Sequence, residues 1–328
     1  MSGNSETEFD LIARLFAPLS DDAHGLGLMD DVGLLPATGG QPCVTSDMIV
    51  AGVHFLPDDP ADLIARKLVR VNVSDLCAKG ATPSACLLSA AFSQDRDTAW
   101  IEAFAKGLAA DFAEYNLTLI GGDTVRTPGP DTFSLTALGE TGEGGLVRRS
   151  GAQAGDNLYV TGTIGDAGLG LMILRGELGT VALGTRTRLE GRYHLPQPRV
   201  AFGEALPGFA SAALDVSDGL VADTAHLAQT SGLAATIEFA RVPLSTSSGR
   251  VIKKDHALHL SLLGRGDDYE ILFAAPANAA DAIAEASGAS ETPVTRSGTL
   301  VEGAAGDVTV VDAQGNAMDI TMSGFKHF

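Results

Sequence analysis

Between residues 61 and 79 the apolar positions Ile64, Leu68 and Val71 recur at the spacing of one helix face, and the next position on that stripe is Asp75. A carboxylate on a buried stripe is costly unless it is paired or bound to a cation. Either the helix ends before Asp75 and leaves it in water, or the fold supplies something for it to hold. The residue taken alone leaves both readings open. Any architecture proposed for this chain has to accommodate that position.

Asp75 is not isolated. Five short segments place aspartates where strands or loops end or where a helix begins: Met29-Asp30-Asp31, Thr45-Ser46-Asp47, Asn72-Val73-Ser74-Asp75, Gly121-Gly122-Asp123-Thr124 and Asp215-Val216-Ser217-Asp218-Gly219. Each has an ordinary structural explanation: a turn pair, an Asx-turn after two glycines, or a cap on the following helix. Five in one chain are harder to explain that way. Small neighbours let a phosphate or a hydrated ion approach the backbone, and hydroxyls add oxygen ligands. Such oxygen-rich sets suit hard cations, Mg²⁺ first, and this many carboxylates call for several ions. That arrangement fits phosphoryl transfer, in which nucleotide charge must be screened and two phosphates aligned.

The surrounding pattern is of interleaved strands and helices, which is the α/β (or α+β) class. Helices are expected at residues 9–17, 61–79 and 98–114, the last ended by Asn116. A strand is expected at 42–50, a short buried one at 117–120 running into Gly121-Gly122-Asp123, and an alternating one at Phe133, Leu135 and Ala137. The turn-rich run 149–156 marks a domain junction, giving domains 1–148 and 149–328. Beyond it, strand 158–160 enters a glycine loop at 162–168 and then a helix. Strand 213–216 feeds a helix at about 217–228, and strands follow at 271–274 and 308–311.

Composition removes several function classes. Acidic residues outnumber basic ones 41 to 22, a formal charge of −19, which argues against a nucleic-acid surface. Cys43, Cys77 and Cys86 have neither disulfide-framework nor zinc spacing, so free thiols in a reducing cytoplasm are expected. The first residues are polar and acidic, unlike a signal peptide, and apolar runs are broken well short of a membrane span. Aromatic residues make up 5% of the chain, so a core mainly of Ala, Val, Leu and Ile is expected. There is no P-loop, no protein-kinase motif set, no Gly-x-Ser-x-Gly elbow and no His-Glu-x-x-His. The 162–168 loop has no phosphate-binding lysine and reads as a strand-to-helix turn at least as well as a phosphate cradle.

In order and spacing the five segments resemble the thiamine-monophosphate kinase family, part of the superfamily that includes aminoimidazole ribonucleotide synthetase and selenophosphate synthetase. The resemblance covers nearly the whole chain. It includes Ile12-Ala13-Arg14, Val50-Ala51-Gly52-Val53-His54-Phe55, Arg149-Ser150-Gly151-Ala152, Tyr159-Val160-Thr161-Gly162, Asp268-Tyr269-Glu270 and the terminal Gly324-Phe325-Lys326-His327-Phe328. It implies a two-domain aminoimidazole ribonucleotide synthetase-like fold with mixed sheets covered by helices, and a homodimer. It also implies ATP-dependent phosphorylation of thiamine monophosphate by direct in-line transfer, with no covalent phosphoenzyme. By the same resemblance Asp30, Thr45, Ser46, Asp47, Asp75, Asp123, Asp215 and Asp218 would hold Mg²⁺ ions. Gly122, Asp123, Arg149 and Ser217 would contact ATP, and His54, Asp267 and Phe325 would contact thiamine monophosphate. The acceptor is a phosphate with a second pKa of about 6, so no added base is required.

The chain departs from the family pattern at Met29, where Gly is usual, and at Arg265 and Asp267, where Gly and Glu are usual. It departs again at Phe325, where Trp or Tyr is common. These changes bear on substrate affinity more than on reaction type. The enzymatic alternative is an aminoimidazole ribonucleotide synthetase. Selenophosphate synthetase would need a reactive Cys near the N-terminus, and a hydrogenase-maturation homologue a terminal Cys. A non-catalytic nucleotide or thiamine-phosphate sensor is the alternative from another class.

Overall fold

The computed structural model describes residues 12–20, 40–253, 255–320 and 324. It divides into two compact units, one of residues 1–76 and 82–140, the other of residues 77–81 and 141–328.

The first unit opens, among described residues, on a wide helical turn, Ile12–Phe16, and a tight one, Ala17–Leu19. The earlier residues of the helix expected at 9–17 lie outside the described residues. Strand β1 (Gln41–Val50) leads to helix α1 (Ala61–Ala78), strand β2 (Ala81–Ser93) and helix α2 (Thr98–Tyr115). Strands β3 (Thr118–Thr127) and β4 (Thr132–Thr141) complete it. The four strands lie in the order β1-β4-β2-β3, so β1 and β3 are the two edges; β2 and β3 run parallel.

Helix α1 stays regular through Asp75. Ile64, Leu68 and Val71 are buried, and Asp75 is half-buried at the end of their stripe. Helix α2 starts where Asp97 accepts the Trp100 N–H and stops where Asn116 adopts a left-handed φ of 53°. The two helices are tied by a buried ion group in which Asp111 accepts from Arg66 (2.8 Å) and from Arg70 (2.5 and 3.0 Å).

One expectation is corrected by the strand pairing. The segment Gly121-Gly122-Asp123 is not a turn after a short strand: β3 continues through it to Thr127. The pairing skips one residue between Cys86 and Leu87, and a side chain at Gly122 would stand 1.9 Å from the Leu88 carbonyl oxygen. Glycine there serves close strand pairing, with a local bulge, rather than chain reversal. The core is mainly Ala, Val, Leu and Ile, as expected, with one aromatic cluster in this unit. Phe133 packs with Phe55, Phe92, Trp100 and Phe104 at ring separations of 4.5 to 6.3 Å. Few aromatics are present, and these five are gathered in one place.

The second unit contains strand β5 (Asn157–Thr161) and helices α3 (Asp166–Leu174), α4 (Leu183–His194) and the single turn α5 (Val200–Gly203). Strand β6 (Ala212–Asp215), helix α6 (Leu220–Thr230) and strand β7 (Ala234–Glu238) follow. Then come helices α7 (Thr246–Ile252) and α8 (His256–Leu262), strand β8 (Ile271–Ala275), helix α9 (Ala280–Ala289) and strands β9 (Val294–Val301) and β10 (Val308–Val311). The six strands lie in the order β10-β7-β9-β5-β8-β6. β5 is antiparallel to both β8 and β9, and β7 and β10 are parallel, so the sheet is mixed.

One core fills the space between this sheet and helix α6, with Leu158, Val160, Leu214, Leu220, Leu227 and Leu272 buried in it. A smaller one holds Leu169, Leu189 and Leu262. The helix after β6 starts at Leu220 rather than about 217, because Gly219 has φ 117° and ψ 150°, outside the helical region.

Candidate functional site

In the first unit, residues alternate sides along β1. Thr45 and Asp47 face α1. The Thr45 hydroxyl donates to Asp75 Oδ2 at 2.5 Å. The Asp47 backbone N–H donates to Asn72 Oδ1 at 2.9 Å, and Asn72 Nδ2 in turn donates to the Leu68 carbonyl at 3.0 Å. Asn72 is fully buried and fixes β1 against α1 at the height of the two carboxylates. Burial, followed by the Asp75 charge, raises the Asp47 carboxyl to about 6. Ser46 points to the other face, with its hydroxyl 3.0 Å from that of Thr136. Reading Thr45 and Ser46 simply as neighbours of Asp47 does not separate the two faces of the strand.

Asp123 is exposed on β3, its Oδ1 accepting the Thr124 N–H at 2.9 Å. Because β1 and β3 are opposite edges, three strand spacings, about 14 Å, separate it from Asp47. One chain therefore brings Asp47 and Asp75 together and holds Asp123 apart from them. His54 sits in the turn after β1. Its Nδ1 accepts the Val50 N–H at 3.0 Å, so the ring nitrogen left to donate is Nε2. The buried Lys67 donates to the His54 carbonyl at 3.0 Å and holds that turn. Asp30 and Phe325 lie outside the described residues.

In the second unit, Asp215 is buried at the end of β6, and Ser217 and Asp218 follow in the loop before α6. Asp223, one turn into that helix and 3% exposed, accepts the N–H groups of Asp218 (3.0 Å) and Gly219 (3.1 Å) through Oδ2. Its carboxyl is raised well above the ordinary value by burial and by the charges of Asp215 and Asp218. Ligand atoms of Asp218, Asp223 and His226 all lie within 4.8 Å of one another. The sequence reading missed Asp223 and His226. Their i, i+3 spacing on one helix face just after Asp218 is the signal that could have found them.

The loop carrying Asp267 is laced to this one. Asp267 N–H donates to the Ser217 carbonyl (2.9 Å), Tyr269 N–H to that of Val216 (2.8 Å), and Val216 N–H to that of Glu270 (2.8 Å). A side chain on Gly266 would stand 2.0 Å from the Ser217 oxygen. Asp267 and Tyr269 adopt left-handed φ values of 73° and 49°. The buried Glu270 anchors the segment, accepting from Arg192 (2.9 Å), Arg199 (2.6 and 2.8 Å) and Thr161 (2.7 Å). Arg149 is exposed, with its carbonyl bonded to Thr230 Oγ1 at 3.0 Å.

The glycine loop 162–168 resolves as a strand-to-helix turn. At the start of α3 the Gly165 and Ala167 N–H groups donate to the Asp268 carboxylate, at 2.7 and 3.4 Å. An internal carboxylate thus takes the donors that a phosphate would use.

Whether these residues suit a divalent cation follows from the donors. Asp47 and Asp75 are adjacent carboxylates with a hydroxyl beside them, and burial and the Asp75 charge raise the Asp47 carboxyl to about 6. Among the described residues neither pairs with a Lys or Arg. The set is oxygen-only and short of positive charge, which suits Mg²⁺. The Asp218, Asp223 and His226 set is also compatible with a cation.

Comparison with known proteins places the chain in a family. The family model for AIR synthase related protein, N-terminal domain, matches residues 29–141, and that for the C-terminal domain matches residues 153–311. The thiamine-monophosphate kinase of Caulobacter vibrioides is 44% identical over 302 residues, covering 90% of this chain and 85% of that protein. The crystal structure of thiamine-monophosphate kinase from Stenotrophomonas maltophilia K279a superposes with a TM-score of 0.83 at 39% identity, over 95% of this chain and 98% of that one. AaThiL complexed with AMPPCP and TMP superposes with a TM-score of 0.77 at 29% identity, over 100% and 99% of the two chains. The chain belongs to the thiamine-monophosphate kinase family, within the AIR synthase related proteins.

Proposed function

We propose that this protein transfers the γ-phosphoryl group of ATP to thiamine monophosphate, giving ADP and thiamine diphosphate. The observation that carries the reading is the Thr45, Asp47 and Asp75 set on a chain that belongs to this family. Asp47 and Asp75, with Thr45 and Ser46 beside them, would hold Mg²⁺ in the first unit, with Asp30 and Asp123 as further ligands. Asp215 and Asp218 would do so in the second. Bound Mg²⁺ would supply charge screening on the phosphates.

The chain's own groups do the rest. Gly122, Asp123, Arg149 and Ser217 hold the nucleotide. His54, through Nε2–H, and the Asp267 loop hold thiamine monophosphate, with Phe325 against it. The attacking oxygen belongs to a phosphate already largely ionised at neutral pH. No side chain has to remove a proton, and transfer is direct and in line.

A homodimer completes this reading. The face of the first unit's sheet away from its helices leaves Val44 64% exposed, Met48 55% and Val125 48%, an apolar set on a strand surface. A second copy covering that face by two-fold symmetry would set the β3 edge of one copy beside the β1 edge of the other. Asp123 of one chain would then serve with Asp47 and Asp75 of its partner, across a separation that a single chain cannot close. The proposed location is the cytoplasm. Among the described residues no helix is long and apolar enough to cross a membrane.

The test is product identification. With ATP, thiamine monophosphate and Mg²⁺, ADP and thiamine diphosphate form in equal amounts. ADP formation without thiamine diphosphate, or no turnover when both substrates are shown to bind, removes the assignment.

A further inference from the structure

The other partly or fully buried arginines of the second unit are paired. Arg192 and Arg199 converge on Glu270, and Arg296 reaches Glu238 at 2.6 Å. Arg265 is different. It is half-buried, its Nε is buried with no hydrogen-bond partner, and among the described residues its guanidinium has no ion pair. This is in a chain with 41 acidic and 22 basic residues. Asp268, three residues on, does not answer it: its carboxylate is turned to the N–H groups of Gly165 and Ala167.

The position of Arg265 is well defined. Its stem lies along Gly168 at the start of α3, where an added side chain would meet Arg265 Cβ and Cδ at 2.9 Å. Its neighbours Gly264 and Gly266 press on the loop from Ser217 to Gly219. Two residues later comes Asp267, bonded to Ser217. A guanidinium anchored by its stem, beside both loops, is a planar donor fork with no acceptor among the described residues.

We infer that Arg265 is a phosphate ligand, binding a phosphate group of thiamine monophosphate or of ATP. The inference rests on the proposed kinase reading for the identity of the phosphate's carrier. The need for such a residue is electrostatic. Asp215 and Asp218 give this region negative charge that repels a polyanionic substrate, and a fixed guanidinium offsets it with bidentate bonds.

The experiment measures Kd by calorimetry for each substrate alone, so that no turnover intervenes. It compares wild type, Arg265→Met, which keeps the stem along Gly168, and Arg265→Lys, which keeps charge without the fork. Loss of a charge-assisted bond predicts a roughly 10- to 100-fold weaker Kd for one phosphorylated ligand in the Met variant, with Lys in between. Weakening confined to thiamine monophosphate assigns Arg265 to the acceptor; weakening confined to ATP assigns it to the donor. Unchanged Kd values for both, in a variant with wild-type circular dichroism, overturn the inference. If Met does not fold, an unchanged pair of affinities in the Lys variant does the same. Should wild type bind neither substrate, the kinase reading has failed instead. Inorganic pyrophosphate then serves as the probe: weaker binding in the variant supports the inference and equal binding overturns it.

Discussion

At the scale of single residues, carboxylates are held where ionisation is costly. Asp47 is raised from 3.8 to about 6 by burial and by Asp75. Its sign sets a pH dependence. Without metal, the folded state holds a proton between about pH 4 and pH 6 that the unfolded chain has released. The cost of ionising Asp47 is therefore absent below pH 4, grows as pH rises through about 6, and reaches about 3 kcal/mol. Asp47→Asn removes that cost. Urea unfolding of metal-free protein is expected to show the variant more stable by 1–3 kcal/mol (about the upper limit just given) at pH 8, with the gain shrinking toward pH 4. A gain of equal size at both pH values contradicts the assignment. Asp75 was legible in the sequence because helical periodicity places it on a buried stripe. The separation of Thr45 from Ser46 follows from strand alternation. The i, i+3 spacing of Asp223 and His226 was legible, but the hydrogen bonds from the Asp218 and Gly219 N–H groups to Asp223 were not, because they depend on a loop folding back onto the next helix.

Among elements, the joint between β1 and α1 is the one that positions the site. Asn72 is its rivet, bonding the Asp47 N–H on one side and the Leu68 carbonyl on the other. Asn72→Ala leaves the part-buried Asp47 N–H unsatisfied, and a loss of roughly 1–3 kcal/mol in unfolding free energy is expected. Mg²⁺ affinity should fall with it, because Asp47 is no longer held; calorimetric titration reads that directly. Affinity unchanged at reduced stability would make Asn72 purely structural.

The helices were readable from apolar period and caps, as with Asp97 and Asn116 around α2. Strand β2 was not read at all. Its sequence, Ala-Thr-Pro-Ser-Ala-Cys-Leu-Leu-Ser-Ala-Ala-Phe-Ser, lacks the β-branched run that marks a strand, and its place between β4 and β3 is decided by packing. Strand β3 looked shorter than it is because two glycines resemble a turn when no neighbouring strand is in view. The aromatic cluster around Phe133 was hidden for a similar reason: composition counts rings but does not say that they meet.

For the whole molecule, the strand order makes a prediction that no single residue makes. Asp75 stands by β1, and Asp123 is on the opposite edge strand. If two chains share each site, Asp75→Asn and Asp123→Asn homodimers are both inactive. Co-expression then yields mixed dimers in which one site contains neither wild-type residue and the other contains both. Activity should return toward half the wild-type value per mixed dimer. No recovery, with mixed dimers verified by mass, would place both aspartates in one chain's function.

These carboxylates are proposed to hold the cations that make phosphoryl transfer possible, and single-turnover formation of thiamine diphosphate from ATP and thiamine monophosphate, with and without Mg²⁺, in wild type and Asp75→Asn, decides it. Wild type is expected to form product only with Mg²⁺, and the variant to do so at a rate at least 100-fold lower (roughly the scale on which a lost transition-state electrostatic contact acts). Product formed by Asp75→Asn at the wild-type rate would contradict it.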